Sequence, residues 1–132
     1  MDAQRLEEIA RRFGVELMIE FGSVVSGHVH DHSDHDIAVL LDRPSLRFEE
    51  LAALKHELRA LDGDREVDVA IINHADPLFL RKLTEHCRLL YGSPRRLAEL
   101  KMYAFKRYQD HRRYLPLERE YVERTLRRLT SS

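Results

Sequence analysis

The sequence predicts an α/β (α+β) domain, a small mixed β-sheet of about four strands flanked by helices, with further helices at the C-terminal end. Segments that are apolar at every third or fourth position alternate along the chain with segments that are apolar at every second position or throughout. Gly, Pro and Asp punctuate the boundaries, and no repeat, low-complexity stretch or linker interrupts the order. The length of 132 residues suits one core, which at this size buries roughly two thirds of the surface of the unfolded chain.

Each element has its own signal. Leu6, Ile9, Ala10 and Phe13 recur at helical spacing and Gly14 follows as a stop, so residues 3–13 read as an amphipathic helix. Val15, Leu17, Ile19 and Phe21 then alternate with Glu16, Met18 and Glu20, the pattern of a strand with one buried face that ends at Gly22-Ser23. Residues 24–33 have the composition of a turn or short helix leading into a loop, and Asp36–Leu41 reads as a second strand. Ser45 is the expected N-cap of a helix that presents Phe48, Leu51, Ala52, Leu54, Leu58 and Leu61 on one face and stops at Asp62-Gly63-Asp64. Glu66–Ile72 is a third strand by its β-branched content. Asp76-Pro77 opens a short helix running to about His86, and Arg88–Tyr91 reads as a fourth strand. A long helical pattern starts at Pro94, and Pro116 is expected to break or kink it near Tyr114, leaving a last helix over about 117–129. Residues 1–94 form the expected core and 95–132 a C-terminal helical tail, packed on that core or on a partner, in a single domain.

Charge is distributed unevenly. The formal net charge of −1 combines −7 over residues 1–94 with +6 over residues 95–132. All five tyrosines (Tyr91, Tyr103, Tyr108, Tyr114 and Tyr121) fall in the last 42 residues. A modest basic excess without a recognition motif argues against direct nucleic-acid binding. The tail's apolar stripe (Leu97, Leu100, Ala104, Tyr108, Leu115, Val122, Leu126, Leu129) is first a packing surface, for this domain or a partner. The longest apolar run, Ile37–Leu41, is far short of the ~20 residues a membrane span needs, and the N-terminus has no signal pattern. A cytoplasmic location is expected. The lone Cys87 excludes an intrachain disulfide and reads as a small half-buried apolar side chain.

The chemistry concentrates in Phe21–Val39. Asp34 and Asp36 stand one residue apart where a strand begins, so alternation sends both carboxylates to one face. Two such charges call for a cation, and hard oxygen ligands suit magnesium or manganese carrying the phosphates of a nucleotide. Asp68 lies mid-strand between Val67 and Val69, where an acid is costly unless it is paired or binds metal. Gly22 allows close backbone approach, and the Ser23 hydroxyl with the amides after it suits phosphate oxygens. His28, His30, His32 and His35 invite a zinc reading, but nothing in their spacing fixes a geometry, and exposed loop histidines near a phosphate site are the plainer reading.

Gly22-Ser23, ten residues, Asp34-x-Asp36 and a later strand Asp68 together resemble the signature of the polymerase-β-like nucleotidyltransferases. The small size and single domain resemble the minimal nucleotidyltransferase (MNT) antitoxins, partners of HEPN-domain toxins, over roughly residues 15–92, and the tail Arg113–Val122 is similar in style. The resemblance implies a polymerase-β-like fold. It also implies a magnesium-dependent nucleotidyltransferase that moves AMP from ATP to a tyrosine of a HEPN RNase toxin. Asp34, Asp36 and Asp68 are then the catalytic and metal residues for two Mg2+ ions, or Mn2+, with Asp68 also the proton acceptor. Gly22 and Ser23 bind the β- and γ-phosphates. The sequence departs from the family at Ser26, where many members have an arginine that helps hold triphosphate, and at His35, where the residue is usually apolar. Two other readings stand beside this one, a non-catalytic antitoxin that acts by binding and a nucleotidyltransferase acting on a small molecule.

Overall fold

The computed structural model describes residues 2–22, 35–63 and 65–130, with 113–119 and 130 as backbone only. Helix α1 (Ala3–Phe13) leads into β1 (Val15–Phe21), followed by β2 (His35–Leu41), α2 (Phe48–Leu61), β3 (Val67–Ile71), α3 (Pro77–Glu85), β4 (Cys87–Tyr91) and α4 (Pro94–Thr130). The four strands form one sheet in the order β3-β2-β1-β4. β1 is antiparallel to β2 and β4, whereas β2 and β3 run parallel. The expected mixed sheet flanked by helices is therefore the observed one. A parallel pair needs a crossover, and α2 provides it.

Local chemistry sets the boundaries. Asp2 caps α1, its Oδ1 accepting the Gln4 N–H at 3.0 Å, and Gly14 closes that helix in the left-handed region at φ 70°. Asp76 caps α3 by accepting the Leu78 N–H at 2.8 Å. Asn73 latches the far end of β2, its Oδ1 accepting from the Leu41 N–H (2.9 Å) and its Nδ2 donating to the carbonyls of Leu41 (2.8 Å) and Arg43 (3.1 Å).

The sheet separates two apolar layers. Leu6, Ile9, Phe13, Met18, Ile37, Val39, Leu54, Leu58, Val67 and Val69 fill the side under α1 and α2. Leu17, Ile19, Ala38, Leu40, Leu80, Leu83, Leu100 and Ala104 fill the side under α3 and α4. Val15 and Leu17 consequently lie on opposite sides, because the pairing of β1 with β2 slips between them. β1 is thus buried on both faces rather than one: it is an inner strand between two helical layers, and Met18 and Glu20 are enclosed along with Leu17 and Ile19.

Three other sequence expectations are corrected. The N-cap of α2 is Arg47, not Ser45, because Glu50 reaches back to accept the Arg47 N–H and Nε, each at 3.2 Å. These bonds hold the Glu50 carboxyl below its ordinary range, the backbone N–H first. Phe48 is 82% exposed rather than on the packed face, since α2 buries only Leu54 and Leu58. Pro116 does not divide the C-terminal helix. α4 runs unbroken through 37 residues, although Pro116 has no N–H to offer the Arg112 carbonyl.

At 1.5 Å per residue α4 spans about 55 Å, far more than the sheet can cover. Leu100 and Ala104 anchor its first part, and the Arg81 guanidinium of α3 lies 4.6 Å over the Tyr108 ring. Residues 120–129 are all exposed, including Tyr121, Val122, Leu126 and Leu129.

Candidate active site

The site forms where β1 ends and β2 begins. Phe21 opposes Asp36 in the antiparallel ladder, and Asp36 opposes Asp68 in the parallel one. Directly opposed residues point to the same side of a sheet, and neighbouring strands lie about 4.8 Å apart. Phe21, Asp36 and Asp68 therefore form one row across three strands, on the face that carries Ala38 and Leu40 further along β2. Gly22 follows immediately at φ 82°, and a Cβ there would come within 2.6 Å of Asp36 Oδ2. The backbone thus turns directly over the carboxylate, a close approach open to glycine alone.

Asp36 is half-buried and Asp68 exposed. The expectation that Asp68 sits in a costly apolar setting is corrected. β3 is an edge strand, its inner positions Val67 and Val69 face the α1/α2 layer, and Asp68 faces water on the other side. Its register against Asp36 singles it out, not burial. Two carboxylates held this way offer hard oxygen donors to Mg2+ or Mn2+ with open coordination positions, so the donor set fits such an ion. Among the described residues no group of three or more His, Cys, Asp and Glu side chains is placed to hold a metal. Asp34, Ser23, Ser26, His28, His30 and His32 lie outside the described residues.

A pocket of about 310 Å³ opens beside this row, lined by Phe21, Gly22, Phe79, Lys82, Leu83 and His86. Phe21 and Phe79 meet edge to face with centroids 5.9 Å apart. Its apolar walls and two basic side chains suit a planar aromatic group next to phosphate. A larger concavity, about 570 Å³, lies at the opposite end of β1 around Glu16, Tyr91 and Gly92. Its carboxylates are already engaged, Glu7 by Arg11 at 2.6 Å and Glu16 by Arg96 at 3.5 Å.

His35 corrects the reading of an exposed histidine loop. It is 4% exposed, inside β2, and points away from Asp36. Its Nε2 lies 2.7 Å from Oε2 of the buried Glu20, and its Nδ1 lies 2.8 Å from Asp62 Oδ2. The second oxygen of Glu20 receives Arg88 Nε at 2.8 Å. The sequence reading missed Glu20, Asp62 and Arg88. The available signal was a carboxylate, Glu20, and an imidazole, His35, each within a mostly apolar strand. Cys87 is half-buried as expected, and burial pushes its thiol up despite the opposing charge of Lys101.

The family described as polymerase beta, nucleotidyltransferase matches residues 4–96, more than half of the chain and the whole of the sheet. The chain belongs to that nucleotidyltransferase family. Among solved structures, a toxin-antitoxin crystal structure with AMP-PNP is 22% identical, with a TM-score of 0.72 over 96% of this chain and 98% of the other. A tri-AMPylated Shewanella oneidensis HEPN toxin in complex with MNT antitoxin gives 20% identity and a TM-score of 0.64, covering 94% of each chain. Spectinomycin adenyltransferase from Enterococcus faecialis, with ATP and spectinomycin, gives 19% identity and 0.55 over 74% of this chain and 57% of the other. No curated protein matches the chain. This nucleotidyltransferase has the α/β fold with its four-stranded mixed sheet, and among its described residues no helix is long and apolar enough to cross a membrane.

Proposed function

We propose that this nucleotidyltransferase is a magnesium-dependent antitoxin of the MNT type, which transfers AMP from ATP to a tyrosine of a cognate HEPN RNase toxin in the cytoplasm. The observation that carries the reading is the row in which Asp36 opposes Asp68 with Gly22 packed on the Asp36 carboxylate. Family membership supplies the reaction class. The likeness to toxin-antitoxin complexes, one with an AMPylated toxin, supports the choice of acceptor.

In this reading Asp36, Asp68 and Asp34 hold two divalent ions, which when bound neutralise charge on the triphosphate. Gly22 and Ser23 receive the β- and γ-phosphates, close contact being possible because position 22 has no side chain. The tyrosine oxygen forms a bond to the α-phosphorus while the bond from that phosphorus to the bridging oxygen breaks, and pyrophosphate leaves. The phenolic proton passes to Asp68, whose exposed position leaves it open to an incoming side chain. The core over 1–94 carries the chemistry, and the tail over 95–132 packs on that core through Leu100 and Ala104 and offers its exposed distal part to the partner. The exposed Tyr121, Val122, Leu126 and Leu129 favour a second contribution, neutralisation by binding.

Intact-mass spectrometry of the co-expressed partner tests the proposal, with ATP and Mg2+ and either the wild type or Asp36→Asn. Mass gains in steps of one AMP with the wild type alone support it. A partner that binds tightly and stays unmodified refutes transfer and leaves neutralisation by occlusion.

A further inference from the structure

Asp36 and Asp68, the metal ligands of the proposed function, face each other across β2 and β3. Among the described residues Phe21 pairs with Asp36, and His35 with Val67. A bound ion demands ligands held to within about 0.5 Å and 10–20°. A twist of about 20° in β2 would carry an oxygen standing ~3.5 Å from the strand axis through more than 1 Å, beyond that tolerance.

One side-chain cluster opposes such a twist. The His35 ring lies on the far face of the same strand, buried, with one nitrogen against Glu20 of β1 and the other against Asp62 at the end of α2. Arg88 of β4 holds the other oxygen of Glu20, and the His35 N–H donates to the Glu66 carbonyl before β3 at 2.8 Å. β1, β2 and β4, the residue before β3 and the residue after α2 are thus tied at the level of Asp36. Among the described residues no buried side-chain nitrogen or oxygen lacks a partner. Buried polar clusters add little stability compared with well-packed apolar groups of similar volume, so stability alone is a poor reason to place one here. Neighbouring side chains alternate across a strand, so fixing the His35 ring from behind fixes the direction of Asp36 in front.

We infer that His35 is a positioning residue for the metal site, its ring clamped between Glu20 and Asp62 so that Asp36 keeps the direction a divalent cation requires. The inference rests on the metal reading of Asp36 and Asp68 given above. Interactions that orient ligands from behind commonly change metal affinity by about 10- to 100-fold when removed.

The test measures Mn2+ binding by electron paramagnetic resonance on the full chain with ATP present, alongside thermal melting followed by circular dichroism. The variants are His35→Leu, His35→Gln, Asp62→Asn and, as control, Asp36→Asn. The expected result is loss of Mn2+ binding in Asp36→Asn and at least about 10-fold weaker binding in His35→Leu at a temperature where it remains folded. His35→Gln, which keeps an amide donor, recovers part of the loss. Asp62→Asn weakens binding several-fold and carries the test if His35→Leu does not fold, its site being on the partly exposed rim. Wild-type affinity in the folded His35→Leu or Asp62→Asn protein overturns the positioning role. No uptake by the wild type, or equal uptake by Asp36→Asn, overturns the metal reading itself.

Discussion

Gly22 and Asp36 are in such close contact that a methyl group on the glycine would come 2.6 Å from the carboxylate oxygen Oδ2. Gly22→Ala meets this clash and also a positive φ of 82°, which alone costs about 1–2 kcal/mol for a residue with a Cβ. The expected outcome is a melting temperature lowered by several degrees and AMP transfer reduced more than stability explains, because Asp36 must move. Thermal melting and initial rates on the same preparation check it. Full activity in a folded Gly22→Ala protein would show that the contact plays no part in catalysis.

Asp36 and Asp68 oppose each other across β2 and β3, where one divalent ion can draw on both carboxylates. Under the proposed function Asp68→Asn is expected to cut transfer by about a thousand-fold, the worth of roughly 4 kcal/mol at the barrier. Added Mg2+ should stabilise the wild type more than the variant. Equal Mg2+-dependent shifts in calorimetry would argue against Asp68 as a ligand.

The distal part of α4 is exposed on every side, and Val122, Leu126 and Leu129 recur there at helical spacing. Val122 and Leu126 are exposed and stand outside both apolar layers, so replacing them together by Asp should leave circular dichroism and melting unchanged within about 0.5 kcal/mol. Co-purification of the partner should fall by at least 10-fold if this stripe is its seat. Undiminished co-purification would place the interface elsewhere.

Burial raises the Cys87 thiol above its ordinary range. A raised value in the folded state means that the thiolate forms later with rising pH than in the unfolded chain. Alkylation by iodoacetamide should be slow at neutral pH and accelerate only at pH values above those needed by the urea-unfolded protein. A rate profile shared by both states would contradict this burial.

Asn73 closes the end of β2 with three hydrogen bonds to Leu41 and Arg43. Asn73→Ala should cost about 1–3 kcal/mol, the range for stranding partly buried backbone groups. Denaturant unfolding measures it, and a loss below 0.5 kcal/mol, the scale of an ordinary surface change, would mean that water replaces the side chain.

The sequence by itself determined the order of elements, the two periodicities and the candidate acids. These are written in local spacing: Leu6, Ile9 and Phe13 mark a helix, and Val67 and Val69 flank Asp68 on a strand, whatever lies around them. Pro116 misled the reading, because local preference did not outweigh a helix that continues on both sides of it.

Strand order, by contrast, belongs to the tertiary structure. Only the pairing of β2 with β3 brings Asp36 to Asp68, 32 positions apart in sequence, and only enclosure of β1 between two helical layers turns Glu20 from a solvent-facing residue into a buried partner of His35. Alternation along a strand shows which residues share a face. It carries no record of which strand lies alongside, or of whether the second face is covered. Those depend on how helices close over the sheet, a long-range choice decided by the burial of apolar surface on both sides.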